Sequence, residues 1–480
     1  MLQPVFMING FILCILGLSM FFPAIFDLYD KNVNWSPFFT SALITLFIGL
    51  SFFLSSKAKI NKLTLRQGYL ITFCSWVSVA LFSSLPLILS DAAPDIPSAL
   101  FESVSGVTAT GATVIVDVES LPRSVLLWRS MLNGLGGIGV VIFAIAMLPF
   151  LGIGGMQMFE RENSDTTDKL MPKFIDVAKW IIGVYLSLVA LCAICLYFCG
   201  MGRFDAVNHA LSAVATAGFS TKNNSVAYFN NTFIEMVLAL FMILGALPMT
   251  FYIILFKKHE IDPLRVGQIK YFLKVICLLT IFLSLCLILN NNMHILTALR
   301  LSFFNIVAVI TTTGLSSADY LDWGVWTAVF FTLLSLHGGC IGSTTGSIKV
   351  MRWQVLKSYF NKVLISSIEP NRVVPVKIGD VPIADKAVTS VFVYILSFLA
   401  SIGAVALLLN LLGYDFSTSV TAAVSTITNT GPGASRAISA SGNFAFFTST
   451  AKYVLCFAMI LGRLEIMTVL VIFTKSFWKN

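Results

Sequence analysis

The sequence predicts an all-α polytopic membrane protein, with four helix–pore-loop–helix repeats around one pseudo-fourfold pore and an extra N-terminal pair of transmembrane helices. Three observations lead there. Composition is the first: 57% of the 480 residues are hydrophobic and 11% charged, against about 25% charged in soluble domains, and mean hydropathy is +0.88. The second is a set of ten apolar runs, each able to cross a hydrocarbon core that takes roughly 20 residues of helix. The third is a shorter Ser/Thr/Ala-rich stretch ending in glycine, which recurs four times between those runs.

The runs fall near 5–26, 37–54, 68–90, 125–150, 175–201, 232–256, 270–290, 325–355, 386–412 and 444–474. The first has no Lys or Arg ahead of Phe6 and exceeds a signal-peptide core, so it is expected to remain as a spanning helix. Orientation follows from the basic residues, which stay on the cytoplasmic side. Lys57, Lys59, Lys62 and Arg66 follow the second run, whereas Asp27, Asp30 and a single Lys31 follow the first. The later inside connections agree. They carry Arg161, Lys169, Lys173 and Lys179, then Lys257, Lys258, Arg265, Lys270 and Lys274, then Lys349, Arg352, Lys357, Lys362, Arg372, Lys377 and Lys386. With Lys475 and Lys479 at the end, both termini are expected in the cytoplasm. The net charge of +8 suits such loops and is too thinly spread for nucleic acid. The expected organisation is an N-terminal hairpin over 1–66 and pore repeats over 67–160, 161–258, 259–360 and 361–480, the third with a broken second helix.

Cys14, Cys74, Cys192, Cys195, Cys199, Cys277, Cys286, Cys340 and Cys456 lie in or against apolar runs and read as small buried hydrophobes. Cys192, Cys195 and Cys199 share a helical face, but no His or carboxylate beside them completes a metal set. His209, His259, His294 and His337 have no metal spacing either.

The four short stretches end in Thr108-Ala109-Thr110-Gly111, Ala215-Thr216-Ala217-Gly218, Thr311-Thr312-Thr313-Gly314 and Thr428-Asn429-Thr430-Gly431. Each follows an amphipathic run beginning near Pro97, Phe204, His294 or Phe416, too short to span and suited to a re-entrant helix. Bare backbone is tolerated at membrane depth only where protein buries it or water bathes it. Four such loops on one axis would supply rings of carbonyl oxygens that replace a cation's hydration shell. The half-helices would point their negative C-terminal ends at the ion, and glycine would reach backbone angles that a Cβ forbids. The candidate cation ligands are therefore Ala109, Thr110 and Gly111, Thr216, Ala217 and Gly218, Thr312, Thr313 and Gly314, and Asn429, Thr430 and Gly431. One such stretch alone would read as an extracellular loop or a helix-packing motif; four in matching places do not.

On these residues the chain resembles the Trk/Ktr/HKT superfamily of potassium transporters. The N-terminal helix pair, Thr-Asn-Thr-Gly-Pro-Gly at 428–433 and His-Gly-Gly-Cys-Ile-Gly-Ser-Thr-Thr-Gly-Ser-Ile-Lys at 337–349 make it look most like the TrkH branch. The resemblance implies a potassium-translocating subunit of the bacterial inner membrane that forms a homodimer, with K+ as transported ion and no organic cofactor of its own. It also implies a cytoplasmic partner, a nucleotide-binding ring of the RCK type resembling TrkA. Ala112, Phe219, Leu315 and Pro432 follow the single glycine of each loop, unlike the two-glycine Thr-Val-Gly-Tyr-Gly of potassium channels, so looser selectivity is expected. In the plant relatives a serine at the first position goes with sodium transport, and Gly111 argues for potassium.

The eighth run is interrupted by glycines that cost about 1 kcal/mol each in a helix, and a helix broken at membrane depth lines a cavity. The expected gate is a loop beneath the filter containing Gly338, Gly339, Gly342, Ser343, Thr344, Thr345 and Gly346, as the resemblance also implies. Arg463 stands inside the last run, where an ion costs at least about 2.5–3.5 kcal/mol, and Glu465 cannot share its helical face. It either anchors its helix by snorkelling or pairing, or faces the ion path as a positive barrier; the resembled family has a basic residue at this place. Asp27, Asp30, Asp91, Asp95, Asp117, Glu119, Asp205, Asp319, Asp322 and Asp415 are expected to form an acidic outer rim that concentrates cations, and Glu102 to be a structural partner behind the filter.

Gly134-Leu135-Gly136-Gly137-Ile138-Gly139 matches a dinucleotide fingerprint in letters only, since it lies in an apolar run with no preceding strand, and reads as close helix packing. No phosphate-binding loop motif occurs and no paired intramembrane Asp, His or Ser/Lys groups are visible, so enzymatic function is not expected. The competing reading is an alternating-access secondary transporter of K+ or Na+ coupled to H+ or Na+. Four repeats of one topology, rather than two inverted ones, favour the pore.

Overall fold

The computed structural model of the chain describes residues 2–30, 35–56, 64–151, 170–258, 267–379, 381–439 and 442–479. Lys31, Lys57, Lys59, Lys62, Arg161, Lys169, His259 and Arg265, which enter the orientation and metal readings, lie outside the described residues. Helices α1 (Gln3–Ser19), α2 (Phe21–Tyr29) and α3 (Trp35–Ser55) open the chain. α1 and α3 meet backbone to backbone, because a Cβ on Gly10 would lie 2.6 Å from the Gly49 carbonyl oxygen.

Four units of one design follow. The first comprises α4 (Leu65–Ser83), α5 (Leu85–Leu89), the half-length α6 (Ile96–Val107) and α7 (Arg123–Leu151). The second comprises α8 (Leu170–Phe198), the half-helix α9 (Arg203–Val214), α10 (Thr232–Ala246) and α11 (Met249–Lys258). The third comprises α12 (Gly267–Asn291), the half-helix α13 (Ile295–Ile310), α14 (Val325–Ser335) and α15 (Val350–Ile368). A two-stranded antiparallel pair, β1 (Lys377–Ile378) and β2 (Val381–Pro382), leads into the fourth. That unit is α16 (Asp385–Leu411), the half-helix α17 (Phe416–Thr428), α18 (Ser449–Arg463), α19 (Ile466–Ile472) and α20 (Lys475–Trp478).

The half-helices begin within two residues of the expected positions. Two start at carboxylate caps: Asp95 accepts from the Ser98 N–H at 2.8 Å and Asp415 from the Thr418 N–H at 2.9 Å. All four are enclosed by longer helices, whose inner faces form two apolar clusters. One joins repeats 2 and 3 around Phe241, Phe272 and Phe304; the other joins the N-terminal helices to repeats 1 and 4 around Phe38, Phe101, Trp128 and Phe398. Phe47, Phe198, Leu289 and Leu411 point outward and exposed, as apolar residues do where acyl chains replace water. Cys277 is among such exposed residues and only Cys192, Cys340 and Cys456 are buried, so the cysteines are small apolar residues but mostly not interior ones.

Among the described residues seven helical stretches are long and apolar enough to cross a membrane, or eight with the bent pair α18–α19. The ten expected runs are thus not all continuous helices. The run near 232–256 breaks between α10 and α11 at Leu247, held extended by Pro248. The run near 325–355 breaks at the glycine-rich loop, as expected. The run near 444–474 starts as helix only at Ser449 and bends by 111° between α18 and α19, where Glu465 has φ 57°. Hydropathy responds to apolar side chains, not to the backbone angles that end a helix.

Glycines set how closely the second helices pack on the half-helices. A Cβ on Gly136 would overlap the Val107 carbonyl, one on Gly245 would lie 2.6 Å from the Val214 carbonyl oxygen, and one on Gly462 would overlap the Ile427 carbonyl. Val107, Val214 and Ile427 are the same position of repeats 1, 2 and 4. Gly137 and Gly134 likewise abut Ala215 and Leu211, so the Gly134–Gly139 run packs helices, as its context suggested. Gly136→Ala is expected to lower stability by about 1–3 kcal/mol through overpacking, whereas Gly139→Ala, with no atom within 4 Å of its added Cβ, is expected to raise it by up to about 1 kcal/mol. Thermal unfolding of both variants in detergent, followed by size-exclusion, checks the pair.

Candidate functional site

Each half-helix ends in the same turn. At Ala109, Thr216, Thr312 and Asn429 φ is 52, 50, 56 and 55°. Their N–H groups donate three residues back, to the carbonyls of Gly106, Ala213, Val309 and Thr426, at 3.0, 3.2, 2.9 and 3.3 Å. The next N–H groups, of Thr110, Ala217, Thr313 and Thr430, donate five back, to Ser105, Ser212, Ala308 and Ser425, at 2.9, 2.8, 2.8 and 3.0 Å. This pair of bonds is the Schellman helix stop, whose left-handed residue is usually glycine. Threonine there is a conformational outlier that costs on the order of 1–3 kcal/mol and persists only where its surroundings hold it.

The turn uses the N–H groups and leaves the carbonyls free. Among the described residues no hydrogen bond ends on the main-chain oxygens of Ala109, Thr110, Gly111, Thr216, Ala217, Gly218, Thr312, Thr313, Gly314, Asn429 or Thr430. Gly431 alone of the twelve has its carbonyl engaged, by the Ser425 hydroxyl.

The four loops close into a ring. A Cβ on Gly111 would collide with the Gly218 backbone, and one on Gly218 would stand 2.8 Å from the Thr313 carbonyl oxygen. One on Gly314 would overlap the Thr430 carbonyl, and one on Gly431 would stand 2.5 Å from the Thr110 carbonyl oxygen. Each loop touches the next and the fourth returns to the first, so all twelve expected ligands converge. The side chains are less regular. Thr108 pairs its hydroxyl with Thr110, Thr311 with Thr313 and Thr428 with Thr430, at 2.7, 2.7 and 2.8 Å. The second loop has Ala215 and Ala217 instead, which cluster with Ala109.

Behind the ring, Asn429 donates to the Thr110 hydroxyl at 3.0 Å and to the Met459 carbonyl at 2.9 Å, tying the fourth loop to the first and to α18. Ser212 donates to the Phe219 carbonyl at 2.7 Å, and His209 Nε2 lies 2.9 Å from the Ser220 hydroxyl. Glu102 is fully buried and pairs with Arg129 at 2.7 Å, a structural partner as expected. Sequence reading overlooked Arg129, although an ionisable residue within the apolar run near 125–150 was the signal for it.

The loop between α14 and α15 lies against three of the four ring loops. Thr344 Oγ1 is 3.1 Å from Thr216 Oγ1 and donates to the Val214 and Gly245 carbonyls, each at 3.1 Å. The Gly346 N–H donates to Thr312 Oγ1 at 2.8 Å, and a Cβ on Gly346 would overlap the Thr428 carbonyl. The loop is internally knit: Gly339 N–H donates to Thr345 Oγ1, and Ser343 and Thr345 share a hydroxyl contact at 2.8 Å. Gly338 and Gly342, at φ 66 and 76°, supply its left-handed turns. Lys349 Nζ returns to the Thr345 carbonyl and hydroxyl.

Arg463 is the last residue of α18, at the break inside the bent pair α18–α19, and it is buried. Its Nη1 donates to the Thr344 carbonyl at 2.8 Å, while its Nε and Nη2 find no partner among the described residues. It therefore pairs with the loop backbone, neither snorkelling nor bridging to Glu465. Glu465 instead binds Arg352 at 2.9 Å, whose guanidinium lies 3.7 Å from the Tyr394 ring centre.

The outer acidic residues divide. Asp95 and Asp415 cap half-helices, and the Thr418 hydroxyl and N–H hold the Asp415 carboxyl below the ordinary carboxylate range. Asp30 approaches Arg123 at 3.6 Å and Asp205 accepts from the Thr221 hydroxyl at 2.6 Å. Asp27 is buried, which corrects its place in a solvated rim. Asp117 and Glu119 remain exposed, bonded to Asn223, whose side-chain amide lowers the Asp117 pKa.

The sequence and the fold both have known counterparts. A relative from Halomonas elongata, the Trk system potassium uptake protein TrkI, is 38% identical over 86% of this chain and 84% of its own length. The Trk system potassium uptake protein TrkG of Escherichia coli is 36% identical over 98% of this chain and 97% of its own. The crystal structure of the potassium transporter TrkH from Vibrio parahaemolyticus superposes over the whole of both chains, with a TM-score of 0.93 and 29% identity. The family model described as "TrkH: Cation transport protein" matches residues 36–479, and with that match the chain belongs to the TrkH family, membrane transport proteins rather than enzymes.

Proposed function

We propose that this chain is the potassium-translocating subunit of a Trk system, conducting K+ through the ring of four loops. The observation that carries the reading is the ring itself: four glycines in cyclic contact, with eleven of the twelve loop carbonyls free of hydrogen bonds among the described residues. Such oxygens can replace the hydration shell of a monovalent cation, and the C-terminal ends of four half-helices add negative potential there. The relatives that are potassium uptake proteins supply the identity of the ion. The chain sits in a bacterial inner membrane with both termini cytoplasmic, works as a homodimer, and takes a TrkA-like nucleotide-binding ring as its cytoplasmic partner.

The 338–347 loop is the gate in this reading. Its contacts with Thr216, Thr312 and Thr428 support a position under the filter, and Arg463 holds it there through the Thr344 carbonyl. Arg463 thus acts as a latch whose charge also repels cations.

Two outcomes are expected in vesicles containing the purified protein. Gly111→Ser forces a Cβ into the Gly218 backbone at a left-handed position and lowers the potassium-to-sodium uptake ratio by about tenfold or more, as a loss of some 1.4 kcal/mol in discrimination would; an unchanged ratio removes Gly111 from the filter. Arg463→Ala frees the Thr344 carbonyl from a charge-assisted bond of about 1.5–3 kcal/mol and raises potassium flux per folded protein by roughly tenfold, while Arg463→Lys, which keeps a donor and a charge, changes it less. An Ala form no faster than the parent shows that the loop is support and not a barrier.

A further inference from the structure

We propose that Glu102 and Arg129 are positioning residues for ion selectivity: together they set the spacing between the first and second filter loops. The inference rests on the conducting ring proposed above. Arg129, on α7, uses its whole guanidinium. Nε donates to Glu102 Oε1 at 2.7 Å, Nη2 to the Thr113 hydroxyl at 3.2 Å and Nη1 to the Ser220 carbonyl at 3.2 Å, and its carbon lies 4.1 Å from the centre of the Phe219 ring. Thr113 stands two residues beyond Gly111 and Ser220 two residues beyond Gly218, so one side chain grips the same register position of two neighbouring loops. Glu102, on the half-helix α6, completes the clamp: the Thr113 hydroxyl lies 3.0 and 3.1 Å from its oxygens and the Val114 N–H donates to it at 3.0 Å. Both side chains are buried, 2% and 0% exposed.

The other three seams of the ring are joined differently. Val226 and Ala227 N–H groups meet the Ser316 carbonyl between repeats 2 and 3, both at 3.1 Å. The Tyr320 hydroxyl meets the Gly433 carbonyl at 3.2 Å between repeats 3 and 4, and the Phe444 N–H meets the Thr113 carbonyl at 2.8 Å between repeats 4 and 1. Those joints are hydrogen bonds to main-chain carbonyls, beside side-chain contacts such as the Ser439 hydroxyl on Asp319 at 2.7 Å and the Arg300–Glu235 pair at 3.6 Å. At the first seam, where Gly111 presses on the Gly218 backbone, a guanidinium ion-paired within repeat 1 reaches across to the Ser220 carbonyl and the Phe219 ring of repeat 2. A planar fork fixes three directions at once, and carbonyl rings discriminate between ions through the number and position of their oxygens. The pair is neutral as a unit, so it adds rigidity beside the ring without adding a field that repels cations.

The test is the potassium-to-sodium uptake ratio, both ions measured in one batch of vesicles so that the amount of folded protein cancels. Arg129→Lys keeps the charge but cannot hold Glu102, Thr113 and Ser220 together; the double variant Glu102→Gln with Arg129→Gln removes both charges and leaves neither alone. The ratio is expected to fall about twofold in the first and about fivefold in the second, within the range by which supporting residues modulate distant energetics. A brace for folding alone would reduce both uptakes in proportion, so an unchanged ratio in either variant overturns the proposal. Thr113→Val, which deletes one hydroxyl of the clamp, gives the same decision if the double variant does not fold. Gly111→Ser measured alongside separates the two failures: if it shifts the ratio and the clamp variants do not, the clamp inference alone is wrong; if it does not, the conducting ring is wrong.

Discussion

Main-chain carbonyls that no donor among the described residues reaches, inside a membrane-spanning chain, are the constraint on which the rest of this structure depends. They are stable only if the surrounding protein holds the backbone that carries them. The helix stop supplies the local part of that support. Two N–H groups turn back onto each half-helix, one residue takes a left-handed angle, and the oxygens that follow, Gly431's excepted, accept no hydrogen bond among the described residues. A threonine in that place at φ 50° or 56° would relax to an ordinary conformation in an isolated peptide. Here the close glycine contacts of Gly136, Gly245 and Gly462 press the second helices onto three of the half-helices and leave little room for that relaxation.

Fourfold backbone symmetry coexists with side chains that break it. Three loops pair threonine hydroxyls and the second substitutes alanines. At one seam a guanidinium held by Glu102 reaches both neighbouring loops, whereas at the others main-chain carbonyls accept from the next repeat. The second helix is continuous in repeat 1 and broken in repeats 2, 3 and 4. The break in the third places Thr344 and Gly346 against neighbouring loops, and the end of α18 brings Arg463 to the same segment. The repeated loop sequence accounts for the shared turn, and the departures sit at Arg129, at the 338–347 loop and at Arg463.

The sequence by itself determined the membrane class, the four half-helices and the twelve loop residues, because each depends on local chemistry. Hydropathy is additive along the chain, and a Thr/Ala-x-Thr/Ala-Gly stretch after a short amphipathic run reads the same in each repeat. Even the packing role of Gly134–Gly139 was legible from its apolar context. Only the tertiary structure decided which of the ten runs are continuous helices: Pro248 marks the break at Leu247 locally, but the bend at Glu465 falls on a non-glycine residue at φ 57°, which no local pattern announces. It also decided the partners of the charged groups. Arg463 meets a carbonyl 119 residues away, Glu465 is taken by Arg352, Asp95 and Asp415 serve as caps, and Arg129 joins two loops. A charge's partner is a matter of distance in space, and no local pattern encodes contacts between residues brought together only when four repeats close a ring.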